Sequence, residues 1–158
     1  NIDLNKTSIE LFNKARKKDF NLRIAVSNKF KKIKYFYRKK INMLNTINKK
    51  FAKSSFRKGF KTSFVQADTL NSVLGKSKLK NKKIDFLNLD IEGNEINALK
   101  SLNFKKYSPK LICVEIHNYY SSKSKINDFK SNSIYSFLLR KGYRKVWNNE
   151  FSFIFSRN

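Results

Sequence analysis

An α/β fold built on a mainly parallel sheet is the class this sequence predicts, and three observations predict it. Short apolar runs of strand character alternate with stretches of helical period along the 158 residues. One of these runs, 110–116, is nearly all apolar in its middle, as a strand covered on both faces is, and another, 84–89, reads as the best buried strand in the chain. Two more flank Asn148-Asn149, a turn sequence that adds an antiparallel hairpin at the C-terminal edge. No internal repeat and no Pro/Gly-rich linker divides the chain, so one domain over 1–158 is expected.

The elements follow in order. Asn1 and the three residues after it read as the end of a strand. Asn5 or Thr7 then caps a helix opening at Ser8-Ile9-Glu10, with Glu10 as the acidic partner of a Thr7 capping box. Ile9, Leu11, Phe12 and Ala15 form its apolar stripe, and Lys17-Lys18 suit its negative C-terminal end. Residues 21–26 are a second strand that ends at Ser27-Asn28. Residues 32–38 alternate, with Ile33, Tyr35 and Tyr37 on one face, and form a third. Residues 43–52 are polar and irregular, a loop with a short helical turn.

A strand over 62–67 leads into a short helix over 69–74, ended near Gly75. A lysine-rich connection then reaches the strand at 84–89, and a helix over 94–102 follows it. After the strand at 110–116 comes a Ser/Lys-rich loop over 119–131. A helix starts at Asn132-Ser133, runs through Leu139 and stops at Gly142. Val146-Trp147 and residues 151–155 are the two strands of the closing hairpin.

Composition bounds the function classes. Hydrophobic residues make up 40%, too many for a disordered chain, and no apolar run reaches the ~18 residues of a membrane span. The single cysteine, Cys113, lies in an apolar run as a buried, inert thiol and fits a reducing, cytoplasmic setting. The chain opens on Asn1 rather than Met, as a processed protein or an internal piece of a longer one does. A net charge of +25 allows a nucleic-acid partner. The excess is spread along the chain with abundant Lys, Asn, Ile and Phe, whose AT-rich codons supply a compositional explanation, and that explanation is favoured.

Ligands of open α/β sheets bind outside the carboxyl ends of the strands. The strand-end residues here are Asp3, Ser27-Asn28, Asp90-Ile91-Glu92-Gly93 and Glu115-Ile116-His117-Asn118. Acids number only 11 against 36 bases, yet three of these four groups contain one. Asp3 is placed to accept hydrogen bonds from ribose hydroxyls, or simply to cap a helix. Asn28 suits an adenine edge, or an ordinary turn. Asp90 and Glu92 would point to one side of a continued strand, and Gly93 gives a sharp exit with close backbone approach. Glu92 and Glu95 also suit the positive end of the next helix. His117, the single histidine, shares a strand face with Glu115 and is a candidate general base, substrate partner or ligand. No zinc-type Cys/His cluster, hydrolase triad order or P-loop is present, and no metal is expected.

The stretch Ile84-Asp85-Phe86-Leu87-Asn88-Leu89-Asp90-Ile91-Glu92-Gly93-Asn94-Glu95 resembles the signature of the FkbM-type methyltransferase family, roughly I-D-x-x-K-I-D-V-E-G-x-E. The collinear segments Asn1-Ile2-Asp3-Leu4-Asn5, Ala25-Val26-Ser27-Asn28, Leu44-Asn45-Thr46 and Thr69-Leu70-Asn71-Ser72-Val73-Leu74 resemble that family too, as do 109–117 and Lys141-Gly142-Tyr143. The resemblance implies a Rossmann-like methyltransferase sheet that uses S-adenosylmethionine to methylate a hydroxyl of a sugar or small metabolite. It implies that Asp3 holds the ribose, that Ser27 and Asn28 neighbour the adenine, and that Asp90 faces the methionine end and the substrate. Glu92 and His117 are then the nearest groups to orient or deprotonate the acceptor.

Asn28, Asn71 and Asn88 depart from the family pattern, and the glycine-rich turn after the first strand does not occur. The expected sheet is therefore missing its first strand–helix unit, and these 158 residues are expected to be inactive if they are the complete natural product. The loops 39–63 and 119–131 are expected to shape the acceptor site. The alternative reading is a basic nucleic-acid-binding module, or a non-catalytic remnant of the fold, with Tyr35, Phe36, Tyr37, Phe56 and Phe60 interleaved among lysines.

Overall fold

The structure, a computed structural model, describes residues 1–39, 42–116 and 132–157 as a mixed α/β chain. Two compact units make it up: Asn1–Lys80 with Ile91–Leu102, and Asn81–Asp90 with Asn103–Asn158.

The first unit opens with β1 (Ile2–Asp3) and α1 (Lys6–Ala15). Asn5 is the cap: its Oδ1 accepts from the Thr7 and Ser8 N–H groups at 2.8 and 3.3 Å. The helix therefore starts before Thr7, and Glu10 meets Lys6 in an exposed pair at 3.5 Å instead of closing a capping box. An amide is as good a cap as a hydroxyl, and the earlier one captures the first turn.

The next strand is two pieces, β2 (Leu22–Arg23) and β3 (Ala25–Val26), because it changes partner at Ile24. β2 pairs in parallel with β1, and β3 pairs in parallel with β5 (Lys61–Asp68). β4 (Lys31–Tyr37) runs antiparallel to β5 over seven paired residues, giving the order β3-β5-β4. On one face of β4 Tyr35 and Tyr37 stack, ring centroids 5.3 Å apart. On the other, Phe36 is buried with Ala52 and Phe56, and Phe60 packs against the group. Ala52 lies in α2 (Lys49–Ser55), which takes up the last four residues of the loop expected at 43–52 and extends the helical turn expected there past it. α3 (Leu70–Gly75), capped by Thr69, and α4 (Glu95–Lys100) complete the unit.

Among the described residues the second unit is one four-stranded sheet and the helix α5 (Ser133–Arg140). β6 (Phe86–Leu89), β7 (Leu111–Glu115), β8 (Arg144–Asn148) and β9 (Ser152–Ser156) lie in the order β6-β7-β9-β8. β6 and β7 are parallel, and β9 is antiparallel to both β7 and β8. The hairpin turn is held by Asn149, whose Oδ1 accepts from the Phe151 and Ser152 N–H groups at 3.0 and 2.6 Å. α5 (Ser133–Arg140) is capped by Asn132 and followed by Gly142 at φ +83°, the left-handed exit that a helix-ending glycine permits. Ile112, Val114, Leu138 and Phe155 are fully buried, and the Tyr135 ring meets Phe155 edge-on at 5.5 Å. The Tyr143 hydroxyl donates to the Pro109 carbonyl at 2.6 Å.

Two expectations change. Among the described residues three strand pairings are parallel and three antiparallel, so the sheet is not mainly parallel. The added antiparallel pairing is β4 with β5, two strands separated by a loop and α2 that nothing local marks as partners. Residues 84–89 are also not the best buried strand: Phe86 is 55% exposed and Asn88 is exposed, whereas Ile112 and Val114 of β7 are fully buried. An apolar run reports hydrophobicity, not the number of neighbours the strand finds. No helix among the described residues is long and apolar enough to cross a membrane.

Candidate active site

β6 ends at Leu89, and the motif that follows turns instead of extending the strand. Glu92 sits at φ +57° and Gly93 at φ +89°, two consecutive residues in left-handed backbone. The strand alternation that would aim Asp90 and Glu92 to one side therefore does not apply. A non-glycine residue held there costs about 1–3 kcal/mol and persists only where its surroundings fix it.

The first unit supplies that fixing. Thr46, almost fully buried, donates its hydroxyl to the Glu92 carbonyl at 2.7 Å, and the Asn48 amide donates to the Gly93 carbonyl at 2.5 Å. Oε1 of the buried Glu95 accepts from the Ile91 and Gly93 N–H groups, both at 3.1 Å. Asn94 donates its amide to the Val26 carbonyl at 2.6 Å while its Oδ1 accepts from the Asn97 amide at 2.8 Å, and α4 begins without a side-chain cap. Asn48 has a second task, since its Oδ1 caps α2. A Cβ at Gly93 would lie 3.1 Å from Asn48 Nδ2 and 3.3 Å from Phe51. Glu95 is thus a structural acid and Gly93 a close-approach glycine. Thr46 and Asn48 have no role legible in the chain, because they act on residues about 45 positions away.

At the strand ends of the first unit, Asp3 is half-buried and its Oδ1 accepts from the Asn5 N–H at 2.8 Å. Its Oδ2 takes no hydrogen bond from a described residue. Ser27 is buried and donates its N–H to the Asp68 carbonyl at 2.9 Å, while Asn28 is exposed. Tyr35 is pushed up to about 12, by burial first; a bond with Asn45 opposes this, and the Asp3 charge adds to it. Its phenol therefore stays protonated and keeps its donor at any working pH.

Asp68 is the strand-end acid the sequence did not mark. It is buried, and it accepts from the Thr69 N–H at 2.7 Å, the Ser72 hydroxyl at 2.6 Å and the Lys76 ammonium at 3.1 Å. Burial works to raise its pKa, but the bonds from Ser72, Thr69 and Lys76 together outweigh burial and hold it below the usual carboxylate range. A depressed folded value means stability that is complete above about pH 4 and lost as pH falls through the folded value. Asp68→Asn is expected to cost about 1–3 kcal/mol at neutral pH and to flatten the acid limb of the stability curve. Urea melts at pH 3, 4, 5 and 7 read both; parallel curves for variant and parent would refute the role.

In the second unit Asp90 is exposed just beyond β6, and Glu115 is half-buried at the end of β7. Their carboxylates come within 4.8 Å of each other. Cys113 is partly buried two residues before Glu115; burial first, then the charges of Asp90 and Glu115, push its thiol up, so it stays an unreactive thiol. Of the residues singled out by sequence, Asp3, Ser27, Asn28 and Glu92 belong to the first unit and Asp90 to the second. His117 and the loop 119–131 lie outside the described residues, as do two residues of the loop 39–63.

A family model described as the methyltransferase FkbM domain matches residues 2–145 of this chain. No curated protein and no solved structure matches it.

Proposed function

This chain belongs to the FkbM methyltransferase family, and from that premise we propose that it transfers the methyl group of S-adenosylmethionine to a hydroxyl of a sugar or other small molecule. The observation that carries the reading is the family match over 2–145, which runs through the left-handed turn at Glu92-Gly93. The finer fold we propose is a Rossmann-like sheet, for which the order β6-β7-β9-β8 with an antiparallel final pair is the support.

The donor set fits the cofactor. Asp3 ends a parallel strand with Oδ2 unbonded, which suits the two hydroxyls of a ribose, and the exposed amide of Asn28 suits an adenine edge. S-adenosylmethionine supplies an electrophilic methyl group on a sulfonium. We assign to Asp90 the task of orienting the acceptor hydroxyl and receiving its proton, with Glu92 and His117 as the further candidates. Displacement at a methyl carbon depends above all on in-line placement, so positioning by the clamped turn is the main contribution asked of the protein.

Calorimetry of the full-length protein with S-adenosylhomocysteine tests the cofactor assignment. Asp3→Ala is expected to weaken binding about 10- to 100-fold, the loss of one or two hydrogen bonds to a charged acceptor. Unchanged affinity in the variant would remove Asp3 from the cofactor site, and no binding by the parent protein would remove the cofactor.

A further inference from the structure

The basic residues are less evenly spread than the chain-wide totals imply. Residues 20–67 carry fourteen Lys and Arg and not one Asp or Glu, whereas the other 110 residues carry twenty-two basic and eleven acidic. A codon bias that enriches lysine everywhere gives no reason for acids to be shut out of one segment.

β4 and β5 form the sheet surface of that segment. Lys34 lies opposite Phe64 and Lys32 opposite Gln66, so Lys32, Lys34 and Phe64 share a face. The aromatics that alternate with lysine in the sequence are mostly core: Tyr35, Phe36 and Phe56 are buried. Phe64 is different. It stands 60% exposed, with the ammonium groups of Lys32 and Lys34 at 5.4 and 6.0 Å from its ring centroid. Phe30, just before β4, is 67% exposed, with the Lys76 ammonium 6.0 Å from its ring. Beside Phe64 an open cleft of about 200 Å³ is lined by Leu4, Arg23, Ile24, Val65 and Gln66, adding a guanidinium to the same surface.

We propose that this face binds single-stranded nucleic acid, with bases stacked on Phe64 and Phe30 and the phosphates beside them met by Lys32 and Lys34. Charge complementarity selects a polyanion, and the two exposed rings select one that carries flat, unstacked π-surfaces. A duplex keeps its bases stacked, and an anionic membrane has none, so neither uses the rings. None of Lys32, Lys34, Phe64 and Phe30 is among the residues assigned to methyl transfer, and the proposal does not rest on that assignment.

The test is fluorescence anisotropy of the full-length protein with a labelled fifteen-residue thymidine oligonucleotide over a range of NaCl. Phe64→Ala is expected to weaken binding about 5- to 100-fold without changing the salt slope, and Phe64→Trp to retain or tighten it. Lys32→Gln with Lys34→Gln is expected to reduce the slope of log K against log salt by about 1.4, the yield of two phosphate contacts on a single strand. An abasic strand of the same length is expected to bind as weakly as the thymidine strand does to Phe64→Ala. Equal affinity for the abasic and thymidine strands would overturn the proposal whether or not any variant folds. So would undiminished binding by Phe64→Ala, or a preference for phosphatidylglycerol vesicles over the oligonucleotide.

Discussion

Gly93→Ala is expected to destabilise the protein by about 2–4 kcal/mol, the largest cost of any glycine-to-alanine change in the chain. Two effects add. The backbone stands at φ +89°, where an L side chain is strained, and the new Cβ would press on Asn48 Nδ2 at 3.1 Å and Phe51 at 3.3 Å. Neither neighbour is free to yield. Asn48 holds the N-terminus of α2 and the Gly93 carbonyl together, and Phe51 is buried in α2 itself.

Two other glycines separate the contributions. Gly59 shares the left-handed backbone at φ +84° but has open space where a Cβ would go, so Gly59→Ala should cost about 1 kcal/mol from conformation alone. Gly75 has neither the positive φ nor a close neighbour and ends α3, so Gly75→Ala should be neutral or stabilising by up to about 1 kcal/mol. Urea denaturation of the three variants orders them. If Gly93→Ala costs no more than Gly59→Ala, the turn is not clamped against Asn48 and Phe51.

Asp90→Asn is expected to lower methyl transfer by about 100-fold or more while changing stability by less than about 0.5 kcal/mol. Asp90 is exposed and takes no hydrogen bond from a described residue, so the fold loses nothing when its charge goes. Relief from Glu115, within 4.8 Å, could only help. Glu95 in the same motif is the opposite case, because its carboxylate holds the Ile91 and Gly93 N–H groups. Glu95→Gln should therefore lower stability and activity together. Single-turnover rates beside denaturant midpoints distinguish the two. An Asp90→Asn protein that keeps its rate, or loses stability in step with it, would end the assignment of Asp90 to the acceptor.

Much of the architecture was legible because it is local. The alternation of 32–38 places β4 within one residue of its observed start and end, and Asn132, Gly142 and the Asn148-Asn149 turn bound α5 and the closing hairpin as expected. The helix after Asp3 was legible as a helix but not in its start, since both Asn5 and Thr7 are competent caps and only the folded turn chooses. The motif around Asp90 was legible as a family signature, yet its shape was not. Two acids spaced by one residue suggest a strand, while the chain turns left-handed there because Thr46, Asn48 and Glu95 hold its carbonyl and amide groups in that turn.

By itself the sequence determined the family, the mixed α/β class, most element positions and the acids worth testing, all properties of neighbouring residues or of an ordered motif. Tertiary structure alone decided which strands pair, which makes β4 and β5 antiparallel partners and β6 an edge. It alone decided that Asp68 is a satisfied buried carboxylate while Asp90 stays exposed. It also separated Phe36, buried under α2, from Phe64 on the same face, left in water between two lysines. The physical reason is common to all three. Burial and hydrogen bonding are fixed by groups that arrive from tens of residues away, and a local pattern carries no record of which ones arrive.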